Sequence, residues 1–202
     1  MHAAVGLADA DGIESLSMRR LAQQLGVEAM SLYHWFASKA VLLGEMLDAV
    51  FAEMELPPTE GDWRAALRTC AISAHQVLLR HPWACNLIGT PTGPSPAQLS
   101  WMDGILGRLR SAGFSPEMTH HGYHALDSHI VGFTLWLLPY LALASDMPDL
   151  ADQLLAGNAL ADLPHLVEHI GVHMAPGGPD DINEFEFGLD LILDGLERMG
   201  VS

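Results

Sequence analysis

Along almost the whole of this chain apolar residues recur at three- and four-residue intervals, and no segment shows the strict alternation of a half-buried strand. Leu and Ala dominate, while strand-favouring Val and Ile are scattered. The spacing therefore predicts an all-α fold, with helices near 3–9, 18–25, 29–36, 39–55, 63–80, 96–111, 117–144, 149–156, 163–174 and 182–199. Breakers separate them at Leu56-Pro57-Pro58, Gly89 to Pro96, Gly113 to Pro116 and Ala175 to Pro179. With 202 residues, half of them hydrophobic and only 17% charged, the chain can bury a sizeable core and is not a disordered polymer.

The net charge of −16 argues against a general nucleic-acid binder but leaves room for a local cationic site. Leu56-Pro57-Pro58 is the best domain boundary, dividing residues 1–56 from 57–202. The first part holds three cations and eight carboxylates, net −5; the second holds six and seventeen, net −11. All three N-terminal cations (Arg19, Arg20 and Lys39) fall within 19–39. The longest apolar run, Ile130 to Ala144, is interrupted by Gly132, Thr134 and Pro139 and falls short of the roughly 20 residues of a membrane span. The N-terminus has no basic flank and apolar core of a secretory signal, and two cysteines, Cys70 and Cys85, are too few for a disulfide scaffold. A cytoplasmic protein without membrane attachment is expected.

Residues 16–36 carry a sharper pattern. Ser17 suits an N-cap, with Leu16 and Leu21 placed to staple across it. Met18, Leu21, Ala22 and Leu25 form one stripe expected to be buried, Gly26 can end the helix in the left-handed conformation, and Val27 is expected to plug the turn. A second helix over 29–36 would bury Ala29, Leu32 and Phe36. Two short helices around such a turn match a DNA-reading helix-turn-helix, and also an ordinary helical hairpin inside a core.

The wording of the segment resembles the TetR family of bacterial transcriptional regulators: Arg20-Leu-Ala-Gln-Gln-Leu-Gly-Val, then Leu32-Tyr33, then Lys39 followed by Leu42-Leu43. Trp63 opening a helix, Gly89-Thr90, Gly113-Phe114-Ser115, Phe133-Thr134-Leu135, Phe187-Gly188-Leu189 and Gly195-Leu196-Glu197 are similar to the tetracycline repressor subclass, although 145–175 does not align. The resemblance implies a three-helix DNA-binding domain over 1–56 and a larger helical effector-binding and dimerisation domain over 57–202. It implies a homodimeric repressor, not an enzyme, that binds a palindromic operator in double-stranded DNA and is released by a small molecule. No cofactor or metal is expected.

By the same resemblance 29–36 is the recognition helix. Arg19 would reach a base edge, while Ser31, Tyr33 and Lys39 would hold phosphates. Ala29, Met30, His34 and Trp35 complete the DNA-binding set. Trp35 stands where the family usually has histidine, and Ala29 where the tetracycline repressor has an amide, so a different operator is expected. The first helix lacks the basic turn common in the family, which weakens the expected DNA affinity.

The effector pocket implied by the resemblance is built from His75, Leu87, Thr90, Trp101, Met102, Ile105, His124, Ser128, Phe133 and Trp136. Leu87 replaces the histidine that holds drug-bound magnesium in the tetracycline repressor, and Tyr140 replaces an acidic residue; a small, mostly apolar, metal-free effector is expected instead. Helices 117–144 and 182–199 would form a dimer bundle, with Phe133, Leu137, Phe185, Leu189, Ile192, Leu193 and Leu196 at the interface and Ile182 on the same face.

Two histidine clusters stand outside that scheme. His165, His169 and His173 share one helical face, and His165-Leu-Val-Glu168-His169 has the H-x-x-E-H order of some zinc peptidases, with no third catalytic ligand in view. His120, His121 and His124 form the second cluster. Neighbouring imidazoles on one helical face suit zinc or nickel as ligands, and a solvated polar stripe is the alternative for both clusters. The competing functions are a helical protein-interaction module with a degenerate helix-turn-helix, and a metal-dependent hydrolase built on His165, Glu168 and His169.

Overall fold

The computed structural model describes residues 1–90, 95–143, 147–157, 160, 162–173 and 183–200. The breakers expected at 91–94 and Ala175–Pro179, the apolar position Ile182 and the side chain of His173 lie outside the described residues. The described residues form helices and turns with no strand. In chain order the helices are α1 His2–Asp11, α2 Met18–Leu25, α3 Ala29–Leu32, α4 Lys39–Phe51, α5 Trp63–Arg80, α6 Pro82–Cys85, α7 Pro96–Ser111, α8 Pro116–Ala142, α9 Met147–Ala156, α10 Pro164–His173 and α11 Glu184–Gly200.

Local chemistry explains where most of them begin. Ser17, Ser38, Ser95 and Ser115 each accept a hydrogen bond from the backbone N–H three residues on, and Asp62 accepts from Arg64 and Ala65. Proline occupies the first turn of α6, α7 and α8, where its missing N–H costs no helical bond.

Helix α5 is the spine, packing against α4, α6, α7, α8 and α11. One hydrophobic core runs unbroken from Ala4 through Leu42, Met46 and Val50 to Leu67, Leu126, Leu189 and Leu193. Gly122 lets α8 pass close to its neighbours, because a Cβ there would meet methyls of Leu196 and Leu109 at 3.2 and 3.3 Å. Arg64 and Arg68 on α5 face Glu186, Asp190, Asp194 and Glu197 on α11 in an ion-pair ladder. Helices α9 and α10 pair with each other around a separate small cluster of Ala151, Leu160 and Ile170. Helix α8 has the length and apolar content of a membrane span. On one side Leu126, Ile130 and Thr134 are buried against the rest of the chain, while Leu135, Trp136, Tyr140 and Leu141 are exposed.

Three expectations need correction. The helix foreseen over 29–36 is regular α-helix only to Leu32; Tyr33, His34 and Trp35 then donate to the carbonyls three residues back, so the segment continues as hydrogen-bonded turns that Phe36 N–H closes on the Leu32 carbonyl. The helix foreseen to residue 55 ends at Phe51, because α5 captures the backbone beyond it. Glu55 N–H donates to Ser73 Oγ at 3.0 Å, and Cys70 donates to the Glu55 carbonyl. Leu25 and Val27 are about half exposed rather than buried, since α2 has only two turns and its end overhangs the core.

Candidate DNA-reading surface and effector domain

The turn expected at Gly26 forms as a left-handed cap with φ 68°, and its N–H closes α2 on Ala22 and Gln23. Ser38 caps the helix that begins at Lys39. Around this turn Arg19, Met30, Ser31, Tyr33, His34, Trp35 and Lys39 are exposed, and Ala29 is partly covered. The sequence-predicted DNA-binding residues, Ala29 apart, are therefore all open to solvent on the small N-terminal unit.

The fate of the nine cations sets two of these residues apart. Arg20 is bound to Asp11, Arg64 and Arg68 to the α11 carboxylates, and Arg80 to Glu53. Arg108 is buried and donates to the carbonyls of Thr59 and Gly61, and Arg110 donates to that of Phe114. Among the described residues, the side chains of Arg19, Lys39 and Arg198 alone make no ion pair or hydrogen bond. Arg19 stands on the helix-turn-helix, and Lys39 opens the helix that follows it.

The residues expected to line an effector pocket do not converge in one place within the chain. Trp101 and Ile105 are buried beneath α4, with Trp101 edge-on to Phe51 at 6.1 Å. His124 and Ser128 are exposed on α8. Thr90 Oγ1 donates to the Leu87 carbonyl at 2.8 Å, closing a turn in which Leu87 is partly buried. Met102 is also only partly covered.

His75, Phe133 and Trp136 instead belong to an aromatic cluster between α5, α8 and α11. The His75 ring stacks on Phe185 at 3.9 Å, and His129 stacks on the same ring at 4.8 Å. Thr134 spends its hydroxyl proton on the Ile130 carbonyl at 2.6 Å, so its oxygen accepts from His75 Nδ1 at 2.7 Å. Burial, with the nearby His129 adding to it, pushes His75 down to about 4, so the ring is neutral near pH 7. From this core Phe133, Trp136 and Tyr140 run outward along α8, with ring separations of 5.4 and 4.7 Å.

Four of the residues expected at a dimer interface lie inside the single chain. Phe185, Leu189, Leu193 and Leu196 are buried in the chain's own core, where α11 packs on α5 and α8. Ile192, Leu137 and Phe133 are partly covered. The apolar surface left open lies elsewhere, with Phe187 and Leu191 more than half exposed on α11 and Leu135 and Trp136 exposed on α8. Apolar residues surround α11 on more than one side: the 185/189/193/196 stripe is buried, and Phe187 and Leu191 stand open on another side.

Sequence reasoning also missed the seam between the N-terminal unit and the rest. The Nδ1 of His81 and the indole Nε1 of Trp83 reach Asp9 Oδ1 on α1 at 2.8 and 2.7 Å. His81 Nε2 lies 3.4 Å from Glu53, to which Arg80 donates at 2.9 Å. Arg80, seconded by His81, holds the Glu53 carboxyl below the usual range. Proline after His81 was the available signal for α6, which aims Trp83 back at α1.

His165, Glu168 and His169 are exposed on α10, and His120 and His124 lie 4.5 Å apart on the open face of α8. Among the described residues no three His, Cys, Asp or Glu side chains converge in a geometry that could hold a metal ion.

The family described as bacterial regulatory proteins, tetR family, matches residues 1–46, and the tetracyclin repressor-like C-terminal domain matches residues 56–200. The HTH-type transcriptional repressor DrrR1 of Streptomyces coeruleorubidus is 35% identical, over 98% of this chain and 75% of its own length. The class C tetracycline repressor protein of Escherichia coli is 31% identical, over 100% of this chain and 90% of its own. The TetR family protein ActR of Streptomyces coelicolor, solved in complex with actinorhodin, superposes with a TM-score of 0.77 at 28% identity, covering 98% of this chain and 95% of that one.

Proposed function

The chain belongs to the tetR family of bacterial regulatory proteins, which are transcriptional regulators rather than enzymes, and on that footing we propose that it is a homodimeric repressor that leaves its operator when a small molecule binds. Residues 1–56 read DNA in this proposal, and 57–202 bind the effector and the second subunit. The molecule works in the cytoplasm, where its operator is.

The observation that carries the reading is the allotment of cations. A chain with net charge −16 engages most of its arginines internally and leaves Arg19 and Lys39 unengaged beside the exposed helix-turn-helix. Arg19 has the reach and planar donors for a guanine edge, while Ser31, Tyr33 and Lys39 suit phosphates. Ala29, Met30, His34 and Trp35 complete the surface facing the groove. Two such surfaces, one per subunit, would read half-sites about 34–36 Å apart.

The dimer interface is assigned to Phe187 and Leu191 with Leu135 and Trp136, the apolar surface that the chain itself does not cover. For the effector, a small and largely apolar molecule bound without metal is favoured by Leu87, which cannot coordinate a cation, and by the Phe133–Trp136–Tyr140 run. ActR, a protein of the same fold, was solved with actinorhodin bound. Helix α4 is the lever between the two sites. Phe51 packs on Trp101, Asp48 accepts from the Ala97 N–H at 2.6 Å, and Arg108 fixes the linker beyond it.

The test is selection of bound duplexes from a random pool by the purified chain, followed by effector titration with chelator present. Enrichment of a palindrome, with Lys39→Ala lowering the salt slope by about one unit, is expected. No enriched duplex would overturn the DNA-binding reading. A requirement for Mg²⁺ in operator release would overturn the metal-free pocket.

A further inference from the structure

The two most exposed large apolar side chains among the described residues are Trp35, 81% exposed, and Met30, 69% exposed. Both stand on the turn assigned to DNA reading, where a monomer in water gains nothing by presenting them. Ala29, beside Met30, is a bare methyl, so two successive residues at the start of α3 offer no hydrogen-bonding side chain to a base edge. In the major groove one base-pair feature answers such a surface, the C5-methyl group of thymine. Trp35 continues the dry surface into an open groove of about 450 Å³ shared with Leu25 and Val27. With few cations available, fewer phosphates are neutralised, and apolar base contacts carry a larger share of the affinity.

We propose that Met30, with Ala29, reads thymine through its C5-methyl, so that each half-site carries thymine at the positions facing these residues. The inference rests on the DNA-reading assignment above and adds the bases that the site prefers. Arg19 supplies the complementary polar contact, to guanine, at a separate position.

The test replaces thymine by uracil, one position at a time, in a duplex selected from a random pool by the full chain. Uracil keeps every Watson–Crick and groove hydrogen-bonding group and lacks only the methyl. Loss of about fourfold in affinity per contacted methyl is expected, as burial of one methyl-sized group implies. Met30→Ala should bind thymine and uracil duplexes alike at the position that Met30 faces, and 5-methylcytosine should recover part of the methyl contact for the wild type. Equal binding of thymine and uracil duplexes at every half-site position, with DNA binding intact, overturns the methyl reading and leaves the regulator assignment standing. Failure to enrich any duplex overturns both.

Discussion

His81 reaches across the seam between the two parts of the chain to Asp9, its Nδ1 donating to Oδ1 at 2.8 Å, and Trp83 donates to the same oxygen at 2.7 Å. One carboxylate on α1 thus satisfies two buried donors from the effector side. The other imidazole nitrogen faces Glu53 just beyond α4. Both ends of the N-terminal unit are held by one histidine.

Removing Asp9 is therefore expected to cost more than a surface substitution. Asp9→Ala leaves the Trp83 indole and the His81 imidazole without their acceptor, an expected loss of about 1–3 kcal/mol in urea unfolding. Trp83→Phe removes one donor only, and the double variant should be less destabilised than the sum of the two. Additive losses would mean that the two donors do not share Asp9 as a unit.

Acid should loosen the fold through His75. In the native chain burial holds this ring's pKa at about 4 against an ordinary 6.5. Between those values the unfolded chain binds a proton that the folded chain refuses, so stability falls as pH drops through the window. The full effect is about 3 kcal/mol at most. His75→Gln should flatten that limb of a stability–pH curve measured by denaturant titration. An unchanged limb would place the acid sensitivity elsewhere.

The dimer assignment separates two leucines on one helix. Leu191 is 55% exposed, whereas Leu193 is fully buried among α5 and α8. Leu191→Arg is expected to give a folded monomer in light scattering at micromolar concentration. Leu193→Ala should leave association intact and destabilise the subunit itself by about 2–5 kcal/mol. The reverse pattern would restore the interface to the 185/189/193 stripe.

Neither thiol should be reactive in the native protein. Burial pushes Cys70 up to about 12 and Cys85 up to about 11. Thiol-disulfide reagents at pH 8 are expected to modify both only on the timescale of unfolding, and denaturant should expose them together. Rapid labelling of either under native conditions would contradict their packing.

Helix positions were legible in the sequence because capping and periodicity are local. Ser17, Gly26, Ser38 and the prolines of α7 and α8 act where they stand. The exposure of the proposed DNA-reading residues was within reach of sequence reasoning for the same reason, since they lie within about twenty positions of one another. Which stripe of α11 turns inward was not, because apolar residues lie on several of its sides and only α5 and α8 decide among them. The Asp9–His81 contact spans 72 residues and leaves no local trace. Pocket convergence likewise depends on how α4, α7 and α8 stack, and the stacking sends Trp101 under α4 and leaves His124 in solvent.

The distribution of unengaged cations has a kinetic consequence. Seen from a distance the molecule repels DNA, because carboxylates outnumber cations in both parts of the chain. Near contact, the cations of the proposed reading surface, Arg19 and Lys39, attract phosphates directly. The two fields are screened differently: at about 0.1 M salt the repulsion fades beyond roughly 10 Å, while the touching charges still attract. A wrongly oriented encounter is turned away before contact, and an encounter led by the proposed reading surface is not. If Arg19 and Lys39 lead the encounter as proposed, the acidic body works as a vane, trading collision frequency for correct orientation.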